Sequence, residues 1–333
     1  LQWSEVKALI HCMTNHGRWT DTGHLSSLIY TSPCNQDRYV YKNCDINNLR
    51  QKMKGLDFTW QHNKTCSIAG RGNIAISPFN HTAMCKLIDH KSILILGDSI
   101  NEEFFYSLTS ALIQSKGKCT DSHEFKSSTS NFEWADPYRQ VDTSKFGCSS
   151  TKITNIRHDY FLWGEKGDDY EYKNPDKMLY GPDWHKHMEA LGTDLLIVNR
   201  GAHYVQDEIV LFDIGETMRK ITAQYGHNIS IIFRSTAPGH SNFNNMRYSP
   251  PLSHPAEAQI AEHNWNHFER QNHVVKAFLH EHYPQVLFMD VYPATVLRPD
   301  GHSHEDALHY CIPGPIDQWV VFLYNILNIL DKM

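Results

Sequence analysis

The stretch "ILILGDSINEEFF", residues 93–105, decides the fold. Strand-forming aliphatic residues run unbroken to Gly97, and a helix-like pattern begins directly after Gly97-Asp98-Ser99. A continuous apolar run, in place of an alternating one, is what a strand covered on both faces needs. Runs of the same kind recur at "DLLIVN" (194–199), "ISIIFRST" (229–236) and "VLFMDVY" (286–292). Helix-length segments lie between and after them, at 100–115, 207–225, 255–282 and 316–331. Asp207 is placed to cap the second, and Pro255 falls in the first turn of the third. Strand alternating with helix predicts an α/β fold, a parallel sheet with helices on both faces. Residues 1–90 lack this periodicity and are rich in Cys, Asn, Gly and aromatic residues. They predict an irregular, disulfide-held segment packed on a main domain at 91–333, itself carrying an irregular insertion at 116–190.

The bulk chemistry narrows the partners. Of 333 residues, 41% are hydrophobic and 20% charged, a globular balance. The formal net charge of -6 argues against a nucleic-acid or anionic-membrane partner, since both favour a basic surface. No run of about 18 apolar residues occurs, so no membrane contact is expected within this chain, although a signal peptide or anchor could precede residue 1. Eight cysteines, none in a C-x-x-C pair, suit disulfides in an oxidising compartment. Sequons at Asn63, Asn80 and Asn228 point the same way, to the secretory pathway: the Golgi lumen or the outside of the cell.

In an open parallel sheet, ligands bind outside the carboxyl ends of the strands. The residues just after each run are therefore the candidates: Gly97-Asp98-Ser99, then Asn199-Arg200-Gly201-Ala202-His203, then Ser235 and Thr236, then "DGHSHEDALHYC" (300–311). A serine hydroxyl becomes a nucleophile when a base takes its proton, and that base works best when a third group orients it. Asp306 and His309 are three residues apart, so the carboxylate can hold Nδ1 of the ring and leave Nε2 facing Ser99. The chain order Ser, Asp, His is that of the α/β-hydrolases, but "GDSIN" lacks the second glycine of their G-x-S-x-G elbow. Backbone N–H groups at Ser99, opening a helix, and the Asn199 side chain are expected to stabilise an oxyanion. Asp98, Arg200, Gly201 and His203 are expected around the substrate groove. Tyr160 and Trp163, among the aromatics in or near the insertion, are candidates to stack against a sugar.

Two rival readings have less behind them. His302, His304, His309 and Cys311 crowd together but lack zinc-finger spacing, and His263 with His267 is "HNWNH", not H-E-x-x-H. No metal is expected. A non-catalytic glycan-binding module would have no use for the Asp306–His309 pair.

These blocks resemble the trichome birefringence-like and PC-esterase group of the SGNH (GDSL-type) superfamily. The likeness rests on "CMTNHGRW" (12–19), "WQHNKTC" (60–66), Gly97-Asp98-Ser99, "NRGAHY" (199–204) and "DALHYCIPGPIDQW" (306–319). It implies an SGNH-like three-layer α/β/α fold with a Ser99–Asp306–His309 triad. It also implies acyl-ester chemistry, with O-acetyl transfer onto glycan hydroxyls favoured over esterase action. No bound cofactor is implied, only an acetyl (acyl) donor as co-substrate and a glycan or polysaccharide acceptor. The resemblance further implies disulfides Cys44–Cys311 and Cys12–Cys66, leaving Cys34–Cys85 and Cys119–Cys148 as the expected remainder. Plant members usually follow the serine block with Ser-Arg-Asn, where this chain has Asn101-Glu102-Glu103, and often carry Cys at the position of Ala307.

Overall fold

The structure, a computed structural model, describes residues 1–23, 53–62, 67–68, 72–73, 77–113, 126–127, 138–143, 148, 151–157, 184–202, 206–226, 228–260, 265–303 and 306–333. The strands are β1 (Gly17–Asp21), β2 (Phe58–His62), β3 (Ser67–Ile68), β4 (Gly72–Asn73), β5 (Ser92–Gly97), β6 (Lys126–Ser127), β7 (Tyr138–Asp142), β8 (Lys152–Arg157), β9 (Leu195–Val198), β10 (Ser230–Arg234) and β11 (Leu287–Met289). The helices are α1 (Trp3–Asn15), α2 (His81–Leu87), α3 (Ser99–Ile113), α4 (Trp184–Leu191), α5 (Asp207–Tyr225), α6 (Phe243–Met246), α7 (Phe268–His282), α8 (Tyr292–Thr295) and α9 (Asp317–Leu330).

The central sheet runs β11-β10-β9-β5-β8-β7-β6. β11, β10, β9, β5 and β8 are parallel, and β7 and β6 form an antiparallel edge. The chain leaves β5 toward β8 on one side and later returns to β9 on the other. That reversal opens a crevice at the carboxyl end of β5, which is where an open α/β sheet places ligands. Side chains alternate along β5: Ile93 and Ile95 pack with α1, α3 and α9, while Leu94 and Leu96 pack with α4 and α5. The result is a three-layer α/β/α domain. Each buried Leu or Ile contributes about 1.5–3 kcal/mol, so a strand apolar on both faces is strongly held at the centre.

Four local expectations are corrected. The stretch 116–190 contains β7 and β8, and β8 is the direct neighbour of β5 over its whole length. "KITNIR" is not an apolar run, because Thr154 and Asn155 are polar yet buried, with Gln140 Nε2 donating to Thr154 Oγ1 at 3.0 Å. Residues 1–23 are not irregular: Val6, Leu9, Ile10 and Met13 fall at i, i+3, i+4 and i+7 and form the buried stripe of α1. The segment 255–282 is a 3-10 turn at Pro255–Glu257 followed, after an interval, by α7, so Pro255 opens the short turn and not the long helix. Asp207 is the first helical residue of α5, after Gln206 at the cap, and pairs with Arg270 of α7.

The amino-terminal segment is tied to the main domain by indole groups. Trp3 Nε1 donates to the Pro284 carbonyl at 2.6 Å, and Trp19 Nε1 to that of Ala294 at 2.8 Å. The Arg298 guanidinium lies 4.4 Å above the Trp19 ring while its Nε donates to Asp300.

The disulfide remainder is also corrected. Cys85 on α2 bonds to Cys148, with Cα atoms 4.7 Å apart, so neither pairs with Cys34 or Cys119. Parity and spacing do not select among pairings; the proximity of α2 to the β7–β8 connection does. Cys12 and Cys311 are both disulfide-bonded, and their partners lie outside the described residues. Cys34, Cys44, Cys66 and Cys119 lie outside them as well. Asn80 is exposed and its Oδ1 caps α2 by accepting from Ala83 N–H at 2.9 Å; Asn228 is exposed before β10. Asn63 lies outside the described residues. Among the described residues, no helix is long and apolar enough to cross a membrane.

Candidate active site

The turn after β5 is set by close packing. A Cβ on Gly97 would stand 2.8 Å from the Asn199 carbonyl oxygen and 2.6 Å from Asn101 Nδ2, so only glycine allows the two strand ends to approach. Asp98 then accepts the N–H groups of Ile100 (3.0 Å) and Asn101 (3.3 Å) through Oδ1, the work of a helix cap. Asp98 is thus buried beneath α3 and not in an open groove. Ser99 is the first residue of α3.

Across from it, Ser99 Oγ lies 2.7 Å from His309 Nε2. His309 Nδ1 contacts Asp306 Oδ2, and Asp306 Oδ1 accepts from the backbone N–H groups of Leu308 (2.7 Å) and His309 (3.2 Å). A carboxylate on Nδ1 keeps the proton there, so Nε2 is the acceptor for the serine hydroxyl. Burial alone raises the Asp306 pKa, but the His309 ring and the two backbone donors outweigh it and hold this carboxyl well below the usual range. The group is therefore ionised wherever the ring is to be oriented.

The loop carrying His309 is held by its backbone. Its carbonyl accepts from Ser303 N–H (2.9 Å) and His302 Nδ1 (3.1 Å). The Ala307 carbonyl accepts from His240 N–H at 2.9 Å, and Tyr310 N–H donates to Glu103 Oε2 at 3.2 Å. The His302 ring stacks on Tyr310 with centroids 4.2 Å apart.

Behind this loop, His240 Nδ1 lies 2.7 Å from His302 Nε2, and His240 Nε2 lies 2.9 Å from the Val296 carbonyl. Carbonyl oxygens only accept, so Nε2 of His240 and Nδ1 of His302 carry their protons. With both rings neutral, the nitrogens facing each other are then both acceptors, and one of the three contacts lacks a hydrogen. Burial nevertheless favours the neutral forms: His240 is pushed down to about 4, and His302 is held well below its ordinary value by burial and then by His240.

The end of β9 is different. Asn199 is buried, and its Nδ2 donates to the Arg234 carbonyl (2.9 Å) and to Thr236 Oγ1 (3.3 Å). Both amide hydrogens are in use, which corrects the expectation that this amide is an oxyanion donor. Arg200 is likewise buried, with Nη2 on Asp213 Oδ2 of α5 at 2.7 Å, so it does not line a groove. A Cβ on Gly201 would stand 2.0 Å from Thr236 Oγ1, so this glycine lets β9 and β10 close up. His203, Tyr160 and Trp163 lie outside the described residues.

The crevice also has buried polar groups outside the strand-tip candidates. Arg234 ends β10 fully enclosed: Nε donates to Asn101 Oδ1 and Nη1 to the Ser235 carbonyl, both at 2.7 Å, with the guanidinium 4.8 Å above Trp319. Burial lowers it to about 10, while Asp98, Glu103 and Tyr310 act to raise it. A charge closing an otherwise apolar strand, "SIIFR", was the available signal. Of the metal-ligating residue types among the described residues, His81, Cys85 and Cys148 come together, but the two sulfurs are bonded to each other.

Several known proteins are similar to this chain. Residues 212–326 match the PC-Esterase family, described as a GDSL/SGNH-like acyl-esterase family found in Pmr5 and Cas1p. Protein trichome birefringence-like 25 of Arabidopsis thaliana is 23% identical over 358 residues, covering 91% of this chain and 74% of that protein. Xyloglucan O-acetyltransferase 4 of Populus trichocarpa is 39% identical over 54 residues, 13% of each chain. Among solved structures, one described as a peptidoglycan O-acetylesterase in action superposes with a TM-score of 0.42 at 10% identity, covering 76% of this chain and 97% of that one. The chain is a homologue of the trichome birefringence-like proteins and carries, at residues 212–326, a PC-Esterase domain of the GDSL/SGNH-like acyl-esterase family.

Proposed function

We propose that this protein is a glycan O-acetyltransferase working through an acyl-serine on Ser99. The observation that carries the reading is the hydrogen-bonded line Ser99 Oγ, His309 Nε2, His309 Nδ1, Asp306 Oδ2, at the crevice where the sheet topology reverses. Ser99 Oγ attacks the carbonyl carbon of the acyl donor as His309 Nε2 takes its proton. The tetrahedral intermediate collapses, the C–O or C–S bond of the donor breaks, and the leaving group takes the proton from Nε2. A sugar hydroxyl then gives its proton to Nε2 and attacks the acyl-serine, and Ser99 Oγ departs with that proton. Asp306 stays ionised throughout and holds the ring.

Negative charge on the carbonyl oxygen needs a donor. The N–H of Ser99 opens α3, where first-turn N–H groups have no helical acceptor. With Ile100 and Asn101 donating to Asp98, it is the first-turn group proposed for this task.

Transfer is favoured over hydrolysis because relatives of this chain are named xyloglucan O-acetyltransferases. Water in place of the sugar would make the same machinery an esterase. The disulfide and the exposed sequons at Asn80 and Asn228 support a lumenal or secreted site of action. The deciding experiment supplies an acetyl donor with a panel of neutral polysaccharides, xyloglucan among them, and measures acetylated glycan and free acetate together. Acceptor-dependent glycan acetylation is expected. Acetate release that no acceptor diverts would make the enzyme an esterase.

A further inference from the structure

Glu103 is a fully buried carboxylate one helical turn beyond Ser99 on α3, and the reaction as written makes no use of it. Burying a carboxylate is costly unless hydrogen bonds and an opposite charge compensate it. Here the compensation is specific. Oε2 accepts the N–H of Tyr310 at 3.2 Å, the residue directly after His309, and the enclosed Arg234 acts on Glu103 electrostatically. Arg234 is itself fixed by Asn101 Oδ1, two residues from Ser99 on the same helix, and lies near Asp98, with Nη2 3.8 Å from Oδ1.

The peptide unit joining His309 to Tyr310 is therefore held at both ends. Its carbonyl is bound by Ser303 N–H and His302 Nδ1, and its N–H by Glu103. Rotation of that unit would swing the imidazole, and displacement by about 1 Å can lower a rate roughly a hundredfold. Ser303 and His302 hold the loop to itself. Glu103 holds it to the helix that presents the nucleophile.

We infer that Glu103 is a positioning residue for the acyl transfer, fixing the distance between Ser99 and His309 by clamping the backbone of the base from the nucleophile's own helix. The inference rests on Ser99 and His309 acting as nucleophile and base. It also gives Asn101-Glu102-Glu103 a structural purpose for its first and third residues: Asn101 anchors the arginine, and Glu103 the loop.

The test uses a fluorophosphonate probe that labels activated serines. Glu103→Met keeps the side-chain length and removes the acceptor; Glu103→Gln removes the charge and keeps an acceptor oxygen. In Glu103→Met the maximal labelling rate should fall about ten- to a hundredfold, with the half-saturating probe concentration changed less than about twofold. Glu103→Gln should restore the rate to within about threefold of wild type. A wild-type rate in Glu103→Met, or a Glu103→Gln as slow as Glu103→Met, overturns the clamp. Should a variant not fold, amide exchange in the wild type reads the bond directly: Tyr310 N–H should be protected like a strand amide, and exchange as fast as an exposed loop overturns it. Labelling of wild type and Ser99→Ala at equal rates would instead refute the nucleophile assignment, independently of how the Glu103 variants behave.

Discussion

The ends of β5 and β9, directly paired parallel strands, lie side by side at the same carboxyl edge, yet they serve different purposes. At β5 the chain turns straight into α3, Asp98 caps the helix, and Ser99 Oγ points at His309. At β9 the polar side chains face inward, Asn199 onto the Arg234 carbonyl and Arg200 onto Asp213, while the Gly201 backbone packs under Thr236. Position at a strand tip is thus not enough to make a catalytic group. What decides is whether neighbouring elements already use its polar atoms, and at β9 they do.

Four outcomes would sharpen or break that contrast. Ser99→Ala should lower turnover roughly a thousandfold or more, with its melting temperature unchanged. Residual activity within a few-fold of wild type would remove the distinction between the two ends. Arg200→Met should do the opposite, losing about 3–5 kcal/mol because it leaves Asp213 buried without its ion pair, as read by denaturant unfolding. Its rate per folded molecule should hold; a selective loss of turnover would return Arg200 to the groove.

The next outcome concerns the base loop's backing. His240 has a folded pKa of about 4 against an ordinary value of 6.5, so the unfolded chain binds its proton first as pH falls. Stability is complete above about pH 6.5 and declines toward pH 4 by on the order of 3 kcal/mol, then levels off for this group. Urea unfolding across that window should show the decline, and His240→Gln should have a shallower acid limb. Equal limbs would show that the ring is not held neutral. Smallest is Asn199→Ala, expected to lose about 1–3 kcal/mol by leaving the Arg234 carbonyl without its donor. A drop in turnover of a hundredfold with unchanged stability would restore Asn199 as an oxyanion donor.

The sequence made the parallel core and the β5 end legible because an apolar run is visible without its partners. β8 was not visible, since Thr154 and Asn155 are polar residues buried only once the sheet forms, with Gln140 of β7 donating to the Thr154 hydroxyl. α1 was legible in principle from Val6, Leu9, Ile10 and Met13, but the surrounding cysteine-rich composition obscured it. The proximity of Asp306 to His309 could be read from spacing, because three residues on a turn settle it. The inward commitment of Asn199 and Arg200 could not, because it depends on β10 and α5, which are remote in sequence. The same holds for Cys85 with Cys148 and for Glu103 with Tyr310, contacts that only tertiary packing creates.

The proposed mechanism requires Ser99 to carry the acyl group. The direct measurement is to incubate the protein with an activated acetyl ester such as p-nitrophenyl acetate, quench it in acid, and map the peptides by mass spectrometry. An added acetyl group is expected on the peptide containing Ser99, located on that residue by fragmentation, chased off by a glycan acceptor and absent in His309→Ala. Turnover with no acetyl on Ser99, or a chaseable acetyl on another residue, would contradict that mechanism.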